Sequence, residues 1–198
     1  MVQVKKEDVR RRILAAAENA FAEKGYAGTT MASIAAAARV SKSNFYVYYA
    51  SKLEILWAIS DPWLRARFDA IERELNAIPE PGKRLDRLFR FLWRELPAER
   101  NGFANNMMQA LATSSDSEGY SRELLAMCET RVARLLTACL DPAGMTPPQI
   151  RALSNLALMA FDGYAIGRHI DADPAEGERA AAVMTSLLRT LATDRNGR

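Results

Sequence analysis

The sequence is poor in the residues that many enzymes use for catalysis and metal binding, with one histidine and two cysteines among 198 residues. The histidine, His169, has only aspartates nearby, at Asp162, Asp171 and Asp173. These carboxylates fit the polar end of one helix and the cap of the next better than a set of zinc ligands. No serine–histidine–aspartate set, cysteine–histidine pair or phosphate-binding loop is evident, so we expect no metal, no cofactor and no enzymatic activity.

The two cysteines do not predict a disulfide. Cys128 and Cys139 fall in one predicted helix, and their spacing separates them by roughly 16 Å along its axis. Two separate thiols are typical of a reducing compartment. The sequence also lacks the run of about 18 apolar residues that a membrane span needs. Residues 1–12 lack the apolar centre of a signal peptide, so we expect a cytoplasmic protein.

Positive charge is concentrated at the N-terminal end of the chain. Residues 1–60 contain nine Lys and Arg against five Asp and Glu, a net charge of +4. Residues 61–198 contain 18 against 19, a net charge of −1. A basic N-terminal module on a near-neutral body indicates a polyanionic partner, although an uneven solvated surface would give the same pattern.

Apolar residues recur at helical spacing and no segment has the alternation of a strand, so the predicted fold class is all-α with about nine helices. Gly25 should end the first helix as a C-cap, and Ser51 to Glu54 match a capping box. Pro62 should bend or break the fourth helix, and Pro97 should end the next one. The predicted helices cover residues 7–24, 31–38, a short segment after Ser41, a long segment from 52, and then 82–96, 101–113, 118–140, 147–170 and 174–192.

Residues 29–52 have the pattern of a helix-turn-helix, in which two short helices pack around a tight turn. Ile34, Ala35 and Ala38 supply a thin apolar face that permits close packing, and Val40 fills the corner. The Ser41 hydroxyl can cap the second helix. Polar side chains that can contact phosphates and base edges then follow, namely Lys42, Ser43, Asn44, Tyr46 and Tyr48. The pattern predicts a DNA-binding protein.

Over residues 8–56 the sequence resembles the TetR family of transcriptional regulators. The matching features are Gly25-Tyr26, the Thr29-Thr30 pair, Ile34-Ala-x-x-Ala-x-Val-Ser41, a tyrosine five residues after that serine, and Ser51-Lys52 at the start of the fourth helix. The resemblance implies that Thr29 or Thr30 caps the second helix and contacts phosphate, and that Lys52 contacts phosphate. The full DNA-binding set is then Thr29, Thr30, Arg39, Ser41, Lys42, Ser43, Asn44, Tyr46, Tyr48 and Lys52.

Three residues depart from the family pattern. Arg39 stands where the family usually has glycine, at a position that commonly needs positive φ, so we expect strain on the order of 1 kcal/mol there. Its guanidinium could in return reach the DNA backbone. Val47 replaces a polar or aromatic residue and could contact a thymine methyl group. Tyr49 replaces phenylalanine, and we expect it to pack in the core with its hydroxyl at the rim.

The resemblance further implies two domains, a helix-turn-helix DNA-binding domain over residues 1–50 and a ligand-binding and dimerisation domain over residues 51–198. Broad apolar stripes on the last two helices suit a four-helix bundle across a two-fold axis, although any one of their residues could be ordinary core. The dimerisation residues expected are Leu153, Leu156, Ala160, Tyr164, Val183, Leu187 and Leu191.

Aromatic and methionine side chains lie on the helices that surround the effector pocket in this family. They indicate a largely apolar or aromatic effector, although each of them fits an ordinary core position as well. The ligand-binding set expected is Trp57, Trp63, Phe89, Trp93, Phe103, Met107 and Phe161. Asn105, Asn106 and Gln109 lie nearby in the sequence as possible polar anchors for the effector.

The sequence thus predicts a homodimeric repressor that binds a palindromic operator in double-stranded DNA and is released by a small molecule. Two alternatives stay open. The chain could be a regulator controlled by a protein partner without a small-molecule inducer, or, less in keeping with its residues, a helical enzyme with a vestigial DNA-binding head.

Overall fold

A computed structural model describes residues 2–99, 102–113, 123–140, 145–169 and 174–193. Within these ranges it contains nine helices and no strand, which confirms the all-α prediction. Among the same residues, none of the helices combines the length and the apolar character needed to span a bilayer. The helices are α1 (Val2–Gly28), α2 (Met31–Ala37), α3 (Lys42–Phe45), α4 (Lys52–Asn76), α5 (Pro81–Arg90 continued by Phe91–Glu95 and Leu96–Glu99), α6 (Phe103–Thr113), α7 (Glu123–Cys139), α8 (Pro147–His169) and α9 (Pro174–Thr193).

The regular part of α1 ends at Gly25, as the sequence predicts. Gly25 has φ 70° and ψ 172°, a left-handed conformation that glycine adopts at little cost. The capping box before α4 is also present, except that the glutamate accepts from the N–H of Ala50 and not from that of Ser51. The Glu54 N–H donates to Ser51 Oγ at 3.1 Å, and the Glu54 carboxylate accepts from the Ala50 N–H at 2.7 Å.

The prediction that Pro97 ends a helix is wrong. The turn Phe91–Glu95 is a π-helix, and the Leu96 N–H donates to the Phe91 carbonyl five residues back. A π turn is wider than an α turn, and this one lies directly before Pro97, where the proline ring needs room and supplies no N–H. The chain therefore continues as helix through Glu99.

A break at Pro62 is also absent, because α4 runs from Lys52 to Asn76 with Pro62 inside it. Leu56 on one side of the proline and Leu64 on the other are each 3% exposed. Packing of both turns stabilises the helix against the hydrogen bond that proline removes.

The chain divides into two compact units whose boundaries differ from the expected domains at 1–50 and 51–198. Unit 1 contains residues 1–64 and 101–121, and unit 2 contains residues 65–100 and 122–198. The helix-turn-helix unit thus includes the first half of α4 and the whole of α6.

The core of unit 1 joins α1, α2, α3, the start of α4 and α6 in one apolar cluster. Ile13, Ile34, Phe45 and Ala110 are each 0% exposed. Ala110 lies on α6, so this distant segment contributes directly to the core that supports the helix-turn-helix.

Unit 2 is built around α5, which packs against α7, α8 and α9. Leu88, Phe89, Phe91 and Leu92 of this helix are at most 1% exposed. Arginines join the second half of α4 to its neighbours, since Arg87 pairs with Glu74, and both Arg131 and Arg134 pair with Glu72.

Both cysteines lie on α7, and no disulfide joins them to each other. Burial raises the pKa of the Cys139 thiol to about 12, so it stays protonated at neutral pH.

Candidate nucleic-acid interface

The entry into α2 is capped by Thr30. Its side chain accepts the Ser33 N–H at 3.1 Å, and Ser33 Oγ accepts the Thr30 N–H at 3.2 Å. This reciprocal pair satisfies two N–H groups that lie outside the helical ladder. Thr30 is exposed, so the hydroxyl that caps α2 lies at the surface.

The expectation that Thr29 contacts phosphate does not fit its position. Thr29 is 1% exposed, and its hydroxyl donates toward the carbonyls of Ala20 and Gly25 at 3.1 and 2.7 Å. A buried hydroxyl held by backbone carbonyls cannot reach DNA. Thr29 instead closes the end of α1, and the capping role that sequence spacing left open between two threonines belongs to Thr30.

The turn between α2 and α3 has the strained geometry that the sequence predicts. Arg39 has φ 54° and is the one non-glycine residue with positive φ among the described residues. The flanking Ala38 and Val40 are buried, and Val40 donates its N–H to the Ala35 carbonyl at 3.0 Å. These contacts hold the turn, while the Arg39 side chain is exposed.

Helix α3 presents an exposed polar surface on a buried anchor. Ser41 Oγ accepts the Asn44 N–H at 3.4 Å and so caps the helix, whereas Phe45 is 0% exposed. The Tyr46 side chain is 48% exposed and Val47 is 69% exposed. The exposed members of the predicted set here are Ser41, Lys42, Ser43, Asn44 and Tyr46.

Two tyrosines near the end of α3 are less accessible. Tyr48 is half-buried and packs against the core of unit 1, so only part of its ring is available. Tyr49 is 2% exposed, and its hydroxyl accepts from Arg10 Nε at 3.0 Å, which confirms the expected core position with the hydroxyl at the rim. This hydrogen bond also raises the pKa of Arg10, which stays charged.

Lys52 is held inside unit 1 instead of extending into solvent. Its ammonium donates to the carbonyls of Tyr26 and Thr29 at 2.6 and 2.8 Å and lies 4.0 Å from the centre of the Tyr26 ring. An ammonium has three N–H donors, and two of those of Lys52 bond to these carbonyls. The contacts therefore favour a role for Lys52 in positioning the backbone over the expected phosphate contact.

Sequence reasoning took Asn106 and Gln109 on α6 as possible polar anchors for an effector and missed their contacts with the end of α1. Asn106 is 5% exposed and accepts the Tyr26 N–H at 2.7 Å, while Gln109 accepts the Ala27 N–H at 3.0 Å. The only sequence signal was Gly25, because a left-handed glycine leaves N–H groups beyond it that need acceptors. No sequence pattern near Gly25 could identify an acceptor that lies 80 residues away in the chain.

The seven residues expected to bind ligand fall into both units. Trp57, Trp63, Phe103 and Met107 belong to unit 1, where the Trp63 and Phe103 rings lie 4.8 Å apart. Trp57 and Met107 pack against the apolar core of this unit. These positions agree with the core alternative for Trp57 and Met107.

The remaining three belong to unit 2. Phe89 is 1% exposed and its ring lies 4.5 Å from that of Trp93, whose indole N–H donates to the Ala157 carbonyl at 3.0 Å. Phe161 is half-buried. Phe89 and Trp93 are therefore well-packed core residues.

The expected dimerisation residues divide into an exposed and a buried group. Leu156, Val183 and Leu187 are 52%, 60% and 56% exposed, unusually high fractions for large apolar side chains. Met159 and Ile166 are 68% and 44% exposed on the same helix as Leu156.

The other expected dimerisation residues are less exposed. Leu153 is 7% exposed and belongs to the core of unit 2, so its assignment to a dimer surface is wrong. Ala160 and Tyr164 are half-buried, and the Leu191 side chain lies outside the described residues.

A capped α2, a tight turn and a short α3 with exposed Lys, Ser, Asn and Tyr side chains define a helix-turn-helix protein of the DNA-binding type. The family model described as "Bacterial regulatory proteins, tetR family" matches residues 13–59. A relative from Aromatoleum sp. (strain CIB), the HTH-type transcriptional regulator HbdR, is 34% identical over 79 residues. That match covers 40% of this chain and 34% of the relative.

Two solved structures share the fold over nearly their whole length. A TetR-family transcriptional regulator from Pectobacterium atrosepticum has a TM-score of 0.68 and 19% identity, with 96% of this chain and 97% of that chain covered. FadR from Bacillus subtilis, in complex with stearoyl-CoA, has a TM-score of 0.61 and 17% identity, with 92% and 97% covered. The family match thus covers the helix-turn-helix region of this chain, residues 13–59, and the two solved structures share the fold of nearly the whole chain.

Proposed function

We propose that this protein is a transcriptional regulator that binds a palindromic operator as a homodimer, in the cytoplasm, and releases it when a small molecule binds. The observation that carries this proposal is the exposed polar surface of α3. Ser41, Lys42, Ser43 and Asn44 are exposed and follow a buried turn, while Phe45 fixes the helix to the core. The role is repression rather than catalysis.

The chemistry of these side chains suits the major groove. Asn44 can pair with an adenine edge, and Lys42 can reach a guanine or a phosphate. Tyr46, with 48% of its surface exposed, can donate its hydroxyl to a phosphate. The net charge of +4 over residues 1–60 supports attraction to DNA.

A dimer is proposed because α3 alone contacts too few base pairs for a specific site. Two recognition helices must lie about 34–36 Å apart to enter successive major grooves on one face of DNA. The exposed apolar residues of α8 and α9, including Met159 and Val183, support a two-fold interface on these helices.

An apolar or aromatic effector is supported by the relation to FadR, which was solved in complex with stearoyl-CoA. Control by a protein partner is the alternative. Phe89 and Trp93 pack in the core, so they do not decide between these two.

Selection of bound sequences from random DNA duplexes by the purified full chain tests the proposal. We expect an enriched motif with inverted half-sites whose centres lie about 10 base pairs apart, or a multiple of that spacing. Enrichment of no motif would contradict sequence-specific binding, and a single half-site would contradict the dimeric arrangement.

A further inference from the structure

The end of α1 and its link to α2, residues 25–29, are held from two sides by side chains that lie far away in the sequence. The Tyr26 N–H donates to Asn106 Oδ1 at 2.7 Å, and the Tyr26 carbonyl accepts from Lys52 Nζ at 2.6 Å. The Ala27 N–H donates to Gln109 Oε1 at 3.0 Å. We call residues 25–29 the junction.

The backbone of the junction requires outside partners. Gly25 leaves the helical conformation at φ 70°, so the N–H groups of Tyr26 and Ala27 lie beyond the regular ladder of α1. Asn106 also donates to the Phe21 carbonyl at 3.2 Å. One buried amide, 5% exposed, thus bonds to the last turn of α1 and to the first peptide after it.

The contact is tight as well as polar. A Cβ placed on Gly25 would lie 3.3 Å from Gln109 Oε1, so glycine permits both the left-handed conformation and the close approach of α6. Ala110, the residue after Gln109, is 0% exposed and belongs to the apolar core of unit 1. The junction and α6 are therefore joined by hydrogen bonds and by apolar packing.

The path of the chain gives this contact its importance. The chain passes between the two units after residues 64, 100 and 121. The first passage lies within α4, which carries Lys52, and the other two lie on either side of α6, which carries Asn106 and Gln109. Both elements that connect unit 2 covalently to unit 1 bond to the same five-residue junction.

The junction leads directly into the helix-turn-helix. Thr29 at its end is buried and bonds to Ala20 and Gly25, and the next residue, Thr30, caps α2. A displacement of Tyr26 or Ala27 would therefore move the start of α2, against which α3 packs.

We propose that Asn106 and Gln109 are positioning residues for operator binding, which hold the junction so that α2 and α3 keep the placement that fits DNA. The inference rests on the proposed function, because its readout is binding of the operator.

The test compares Asn106→Leu and Gln109→Leu with Asn105→Leu, using the DNA duplex enriched by the wild-type chain. Asn105 is the matched control, since it is a half-buried asparagine on the same helix and makes no hydrogen bond to the junction in the described residues. We expect Asn106→Leu to bind about tenfold more weakly and Gln109→Leu severalfold more weakly, with Asn105→Leu within about twofold of wild type.

Hydrogen exchange supplies a readout that a general loss of stability would not reproduce. In Asn106→Leu the Tyr26 amide should exchange faster, and in Gln109→Leu the Ala27 amide should do so, while core amides such as that of Phe45 keep wild-type protection. Gln109→Glu retains an acceptor for the Ala27 N–H, and we expect it to recover most of the affinity lost in Gln109→Leu. The Gln109 variants carry the test if Asn106→Leu does not fold.

Binding by Asn106→Leu and Gln109→Leu that equals binding by Asn105→Leu would overturn the positioning role and leave the proposed function intact. Equal losses in Gln109→Leu and Gln109→Glu would also overturn it. A wild-type chain that enriches no duplex would instead overturn the proposed function, so the two failures are distinguishable.

Discussion

The exposed residues of α3 differ in what they can contact, and Tyr46 offers the sharpest single-atom test. Its ring packs edge-on against Phe45 at 6.0 Å, and 48% of its surface is exposed. Tyr46→Phe removes only the hydroxyl, so operator affinity should fall by about three- to tenfold while the melting temperature stays unchanged. A binding titration and a thermal melt measure these two quantities.

Tyr49→Phe is the matched control for this prediction. Its hydroxyl accepts from Arg10 Nε at 3.0 Å and lies in a residue that is 2% exposed. We expect the free energy of unfolding to fall by about 1 kcal/mol and operator affinity to stay within about twofold. The opposite pattern in the two variants would contradict the assignment of Tyr46 to the DNA surface.

Arg39 combines backbone strain with an exposed positive charge, and two substitutions separate these effects. Arg39→Gly should raise the free energy of unfolding by about 1 kcal/mol relative to Arg39→Ala, because only glycine adopts φ 54° without strain. Urea denaturation measures the difference. Both variants lack the guanidinium, so they should lose operator affinity equally. Equal stability of the two variants would show that the turn stores no strain.

At this scale the sequence allowed the exposed set on α3 to be predicted, because capping and helical spacing are local. Ser41 as a cap and Arg39 at positive φ follow from a few neighbouring residues. Thr29 and Lys52 could not be assigned in this way. Their partners, the carbonyls of Ala20, Gly25 and Tyr26, lie beside them only after α1 and α4 have packed.

Among the elements, the end of α1 is the point where local conformation and long-range contact coincide. Gly25→Ala should lower the free energy of unfolding by about 1 kcal/mol or more, since alanine is strained at φ 70° and its Cβ would lie 3.3 Å from Gln109 Oε1. Gly28→Ala is the control, because a Cβ on Gly28 would also lie 3.3 Å from a neighbouring atom, Lys24 Cβ, whereas Gly28 has no positive φ. Chemical denaturation of both variants checks this, and a larger loss in Gly28→Ala would contradict it.

Most helices were predictable because each carries its own periodicity and caps. The two positions where the prediction of a helix end or break failed are Pro62 and Pro97. Pro97 follows a π turn, and Pro62 lies between the buried Leu56 and Leu64, so packing and hydrogen-bond geometry decide whether proline ends a helix. The inclusion of α6 in unit 1 was not predictable, since the bonds of Asn106 span 80 and 85 residues.

For the molecule as a whole, we predict a dimer formed by α8 and α9. Met159 is 68% exposed on α8, so Met159→Glu would place a charge within the proposed apolar interface. We expect light scattering to give the mass of one 22.0 kDa chain for this variant and twice that mass for wild type. Leu125→Glu, at a 37% exposed position on α7, should remain dimeric. A wild-type monomer, or dissociation by both variants, would contradict the interface.

Recognition of a particular DNA sequence by the exposed surface of α3 can be measured as a ratio of two affinities. The wild-type chain is titrated against its selected duplex and against a scrambled duplex of equal length and composition, at several salt concentrations. We predict that the selected duplex binds roughly a thousandfold more tightly or better, and that both affinities fall steeply as salt rises. Equal affinity for the two duplexes at every salt concentration would contradict sequence recognition by α3.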